Sequence, residues 1–130
     1  MKKRIHSTRL AGRTRRHERI RKKIDGTSER PRVVINRTLK HFYAQAIDDS
    51  TGKTILSMTT NSKTFMKSFK EQDFKDLSGK TKLAAKLGQV FAIKALKLEI
   101  KSVVFDRNGF KYHGRVKAFA DELRSNGLDF

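Results

Sequence analysis

From Pro31 onward the apolar positions fall into short periodic runs. Arg32-Val33-Val34-Ile35-Asn36-Arg37 is β-branched, and His41 to Ile47 sets Phe42, Ala44 and Ala46 against His41, Tyr43 and Gln45. A tight connection at Thr38-Leu39-Lys40 makes the two an antiparallel hairpin. Asp48 to Lys53 has turn composition and leads into Thr54 to Thr60, where Leu56 and Met58 share a face, so three strands form a meander. Phe65, Phe69, Phe74 and Leu77 suggest a partly helical, locally packed connection over residues 61–78. The period then changes. Leu83, Leu87, Val90, Phe91, Ala95 and Leu98 predict a helix from about Lys80 to Leu98 with one face buried. A strand follows at Ser102 to Phe105. Val116, Phe119, Ala120 and Leu123 then mark a helix from about Gly114 to Asn126, with Gly127 as its C-terminal cap.

The order β-β-β-α-β-α predicts an α/β domain with a small mixed sheet. A strand-helix-strand crossover joins parallel strands, and the helices cover one face of the sheet. Residues 1–30 have a different pattern, since only Ile5, Leu10, Ile20 and Ile24 of the 33 Leu, Ile, Val and Phe residues lie there. A basic, partly helical extension over 1–30 followed by a globular domain over 31–130 is therefore expected. Within the extension, Arg13 to Ile24 reads as a helix that is docked or ordered only on binding, with Gly26 able to end it.

Charge sharpens the picture. The 130 residues hold 31 Lys and Arg against 13 Asp and Glu, a net charge of +18, and 12 of those cations fall in residues 1–30. Such an excess favours a polyanion, because each phosphate neutralised releases condensed counterions. Nucleic acid is the leading partner class. A membrane span is excluded, since the longest strongly apolar run is only Val90 to Ile93, and the thin apolar stripe of the extension argues against surface attachment. There is no Cys, which removes disulfides, thiolate metal sites and cysteine nucleophiles, and an intracellular chain fits.

Three constellations carry candidate chemistry. Arg13, Arg15, Arg16, Arg19, Arg21, Lys22 and Lys23 crowd into 11 residues, and guanidinium forks grip phosphate bidentately. In the hairpin, Arg37, Lys40, His41, Tyr43 and Gln45 are expected to share the sheet face left open by the helices, where an aromatic among cations suits stacking on unpaired bases. The loop Phe105 to Arg115 combines Arg107, Lys111, Tyr112, His113 and Arg115 with two glycines. Against each stands a plainer reading: a solvated charged terminus, an ordinary β surface, and a loop tied down by Asp106 with its aromatics packed under the sheet. No catalytic, metal or cofactor residues are expected. Asp48-Asp49 belongs to a turn, Asp121-Glu122 to a helix surface, and the four His residues lack ligand spacing.

The stretch Phe105-Asp106-Arg107-Asn108-Gly109-Phe110-Lys111-Tyr112-His113-Gly114-Arg115-Val116 and the ending Gly127-Leu128-Asp129-Phe130 closely resemble the bacterial ribosomal large-subunit protein eighteen family. The hairpin residues Arg32 to Ile35 and His41 to Gln45, with Asp48-Asp49 and Gly52-Lys53, match it in order and spacing. The chain departs from the family pattern at Asn108, where Gly is common, and at Phe110, where Tyr is common. The resemblance implies a ribonuclease-H-like α/β fold without catalysis, in a cytoplasmic ribosome. It further implies binding to 5S rRNA, its attachment to large-subunit rRNA in the central protuberance, and neighbouring ribosomal proteins as partners, with no membrane and no small-molecule substrate. A non-specific nucleic-acid-binding or RNA-chaperone role is the alternative, motivated by the extension alone.

Overall fold

A computed structural model of the chain describes residues 2–68, 77 and 79–130. The elements run α1 (Lys2–Arg21), β1 (Arg32–Arg37), β2 (Phe42–Asp48), β3 (Lys53–Thr59), α2 (Lys63–Ser68), α3 (Gly79–Lys97), β4 (Val104–Asp106) and α4 (Gly114–Ser125). The sheet order is β3-β2-β1-β4, with β1 antiparallel to β2, β2 antiparallel to β3, and β1 parallel to β4. The expected mixed sheet is thus present, and α3 makes the crossover that parallel pairing requires. At the β1–β2 hairpin, the amide of Thr38 donates to the carbonyl of His41 at 2.9 Å, fixing the register that pairs Asn36 with Tyr43 and Arg37 with Phe42.

Alternation places Val33, Ile35, Phe42, Ala44 and Ala46 on one face, all buried, and α3 and α4 cover them. Phe119 lies at the centre of this layer, its ring 5.1 Å from Phe42, 5.8 Å from Phe91 and 6.3 Å from Phe105 between centroids. The two helices approach closely at Gly88, where an added Cβ would lie 2.6 Å from the carbonyl oxygen of Phe119. Gly127, at φ 106°, ends α4 as expected: the amide of Leu128 reaches back to the carbonyl of Leu123 at 3.1 Å, and Leu128 is buried.

Several expectations are corrected. Leu98 is exposed rather than on the buried stripe of α3, because the helix ends in the same kind of cap with Glu99 in the left-handed region at φ 63°. The amide of Ile100 then bonds the carbonyl of Ala95 at 3.0 Å, and Ile100 takes the core position. The strand expected at 102–105 lies at Val104–Asp106. Ser102 instead bridges Asp129, and the Val103 amide donates to the Asp129 carbonyl at 3.0 Å, so the returning C-terminus claims the first residues of the run. Helix α1 begins at Lys2 and ends at Arg21, earlier than Arg13 and Ile24 at either end. In the 61–78 connection α2 is helical and Phe65 is buried, while Phe69 and Phe74 lie outside the described residues.

Candidate nucleic-acid interface

The face of the sheet turned away from α3 and α4 carries Arg32, Val34 and Asn36 of β1. Arg32 is almost completely buried there, between two carboxylates. It donates from Nε and Nη2 to the two oxygens of Asp49 at 2.9 and 3.0 Å, and from Nη1 to Oδ2 of Asp106 at 2.8 Å. Asp49 also accepts from the amide of Gly26 at 2.7 Å, and Oδ1 of the fully buried Asp106 accepts from the amide of Asn108 at 2.8 Å. Hydrogen bonds from Arg32, then from Gly26, hold the Asp49 carboxyl far below the usual carboxylate range against the opposing effect of burial.

This charged cluster anchors α1. His17 Nε2 lies 3.6 Å from Asp106 Oδ2, and Arg21 Nη1 lies 3.5 Å from Asp49 Oδ2. Next to His17, Arg16 Nε donates to the carbonyl of Gly109 at 3.0 Å. Asn108 and Gly109 both have positive φ, 54° and 77°, and the Phe110 amide closes their turn onto the Arg107 carbonyl at 3.0 Å. The backbone of α1 presses on that turn, since a Cβ on Gly109 would lie 2.5 Å from the carbonyl oxygen of Arg13. Part of the tail's charge is therefore directed at the domain itself. Arg13, His17 and Arg21 are partly buried against it, while Arg15, Arg19, Lys22 and Lys23 face solvent.

Beyond the anchor, the open face holds a hollow of about 290 Å³ lined by Val34, Ile35, Asn36, Tyr43, Gln45 and Asn108. Tyr43 and Gln45 lie on this face as expected. His41 sits at the strand's start, its Nδ1 3.2 Å from the Thr60 hydroxyl. Arg37 does not share the face. It pairs with Phe42 in register, so alternation turns it to the helix side, where its guanidinium carbon lies 5.1 Å from the centre of the Phe110 ring. The Arg13 guanidinium carbon lies 4.6 Å from the same ring, and Arg115 Nη1 donates to the Thr38 carbonyl at 2.8 Å. Burial, and after it the charge of Arg37, lowers the pKa of Arg115 from its usual value.

The loop residues divide between structure and surface. Phe110 packs at the core's edge; Tyr112 is partly exposed, its ring edge-on to Phe105 at 6.5 Å and its hydroxyl 3.4 Å from Arg124 Nη1. Lys40, Lys111 and His113 are exposed and Arg107 partly so. Sequence reasoning missed Arg32, Asp49 and Gly26. The available signal was an arginine inside a β-branched strand, a position that demands a buried counter-charge. Asp48, the other acid of the turn, accepts from the amide and hydroxyl of Ser50. Among the described residues no group of three or more His, Asp or Glu is placed to hold a metal, and no helix is long and apolar enough to cross a membrane.

The profile of the family described as ribosomal L18 of archaea, bacteria, mitochondria and chloroplast matches residues 7–130. The chain belongs to the ribosomal L18 family. It is 50% identical over 123 residues to large ribosomal subunit protein uL18 of Aquifex aeolicus, covering 95% of this chain and 96% of the relative. Identity is 47% over 119 residues with uL18 of Staphylococcus saprophyticus, covering 91% and 92%, and 49% over 125 residues with uL18c of Oryza sativa subsp. japonica, covering 95% and 71%. As an L18 protein the chain is a structural, non-enzymatic constituent of the large ribosomal subunit.

Proposed function

We propose that the chain binds 5S rRNA and attaches it to the large-subunit rRNA in the central protuberance, beside neighbouring ribosomal proteins. The observation that carries this reading is the docking of α1. A tail held by Asp106, Asp49 and Gly109 presents Arg15, Arg19, Lys22 and Lys23 in a fixed orientation relative to the hollow around Tyr43. Fixed cations position an RNA backbone, and an aromatic with neighbouring amides suits unpaired bases. Lys40, His41, Arg107, Lys111, Tyr112 and His113 add contacts along the hairpin tip and the β4–α4 loop.

A gel-shift titration against 5S rRNA and a length-matched DNA duplex, at roughly 50 and 200 mM salt, tests the reading. A preference for the RNA that survives at the higher salt is expected. Equal binding that collapses with salt would leave only a non-specific polyanion binder.

A further inference from the structure

Two arginines share the Phe110 ring, and a third reaches the carbonyl of Thr38, the residue after one of them. Arg13 comes from α1, Arg37 from the end of β1 and Arg115 from the first turn of α4. Among the described residues none of the three is paired with a carboxylate, although Arg21 lies against Asp25 and Asp49, and Arg32 against Asp49 and Asp106. Their anchors are neutral: the Phe110 face for Arg13 and Arg37, and the Thr38 carbonyl for Arg115. We infer that Arg13 and Arg37, which share the Phe110 ring, and Arg115, bound at the carbonyl of the adjacent Thr38, form a binding site for a single phosphate group, supplied in the bound state by the RNA backbone.

Like charges repel, so a cluster held without a counter-ion is complete only when an anion enters it. The donors are available. Nε of Arg37 is buried and has no hydrogen-bond partner, and Arg115 commits one of its five N–H groups to Thr38. A phosphate presents oxygens in several directions and accepts from donors that arrive from three elements, whereas a carboxylate offers two oxygens in one plane. The His113 N-cap of α4 makes no side-chain capping bond, which leaves the amides of the turn carrying Arg115 without a side-chain acceptor. The depressed pKa of Arg115 agrees with a desolvated cation beside another. Because Arg13 belongs to α1, filling the site also ties that helix more firmly to the domain.

Only the source of the phosphate rests on the RNA-binding reading, so two measurements on the full chain separate the questions. In the first, the thermal unfolding midpoint is followed with added sodium phosphate and with sodium chloride at matched ionic strength. Phosphate is expected to raise the midpoint saturably, by about 3–6 °C at tenfold excess over Kd. R37Q and R115Q are expected to lose most of that rise, F110L part of it, and K97Q none. R13Q lies on α1 outside the core and carries the same measurement should R115Q fail to fold. Equal effects of the two salts, or an undiminished rise in R13Q and R37Q, would overturn the site.

In the second, the salt dependence of 5S rRNA binding is compared for the wild type and R37Q. A logarithmic slope shallower by about one identifies the backbone as the source. An unchanged slope beside an abolished phosphate effect overturns the backbone as source. Failure of the RNA-binding reading itself appears as equal affinity for 5S rRNA and duplex DNA, which leaves the phosphate shift untouched.

Discussion

Arg32 sits in a strand whose next residue, Val33, is fully buried, and the side chain of Arg32 is nearly as deep. A guanidinium in that position is tolerable only with its hydrogen bonds filled, and Asp49 and Asp106 fill them from two sides. Asp106→Asn leaves half of the arrangement uncompensated. We expect a loss of about 2–3 kcal/mol, below the full cost of orphaning a buried ion because Asp49 remains, read from the urea midpoint. The Asp49 carboxyl has its pKa depressed in the folded state, so its contribution is fully present above its unfolded value near 4. That contribution declines as the pH falls from about 4 towards the depressed value. A urea series between roughly pH 6 and pH 3 checks this, with Asp49→Asn expected to be less stable at neutral pH and flatter on the acid side.

At the scale of elements, close approach is what the sequence signals least. Gly88 interrupts a run of good helix formers in α3, and nothing in the sequence reveals that α4 presses on it. An Ala there meets the Phe119 carbonyl oxygen at 2.6 Å, so Gly88→Ala is expected to cost about 1–3 kcal/mol despite its better helix propensity, measured by thermal unfolding. The meander, both long helices and the Gly127 cap were legible because period and turn chemistry are local properties. The left-handed Glu99 was not, because a left-handed cap is usually glycine and only the burial of Ile100 decides it. Likewise Ser102 to Phe105 reads as one strand until the chain's own end returns to pair with Ser102. Of the candidate interface, the residue types were legible and the partition was not. Period two settles Tyr43 but also moves Arg37 to the opposite face, and only tertiary contact shows that His17 and Arg21 serve the domain while Arg19 and Lys22 serve the surface.

For the whole molecule, that partition separates stability from binding within one helix. Arg19 and Lys22 touch no carboxylate among the described residues, whereas Arg21 lies against Asp49 and Asp25. Neutralising the outward pair in R19Q/K22Q is therefore expected to leave the unfolding midpoint within experimental error. The salt slope of RNA binding should become shallower by about two, one for each phosphate that is no longer neutralised. Arg21→Gln is expected to do the reverse in part. It loosens α1, raises amide exchange over residues 13–21, and weakens RNA binding through poorer orientation as well as reduced charge. If both variants changed only the slope, the helix would act as a loose polycation, and the clamp of Asp106, Asp49 and Gly109 would have no part in recognition. If R21Q instead lowers the preference for 5S rRNA over duplex DNA, while R19Q/K22Q lowers affinity for both alike, then the domain's carboxylates set specificity by fixing where the cations stand.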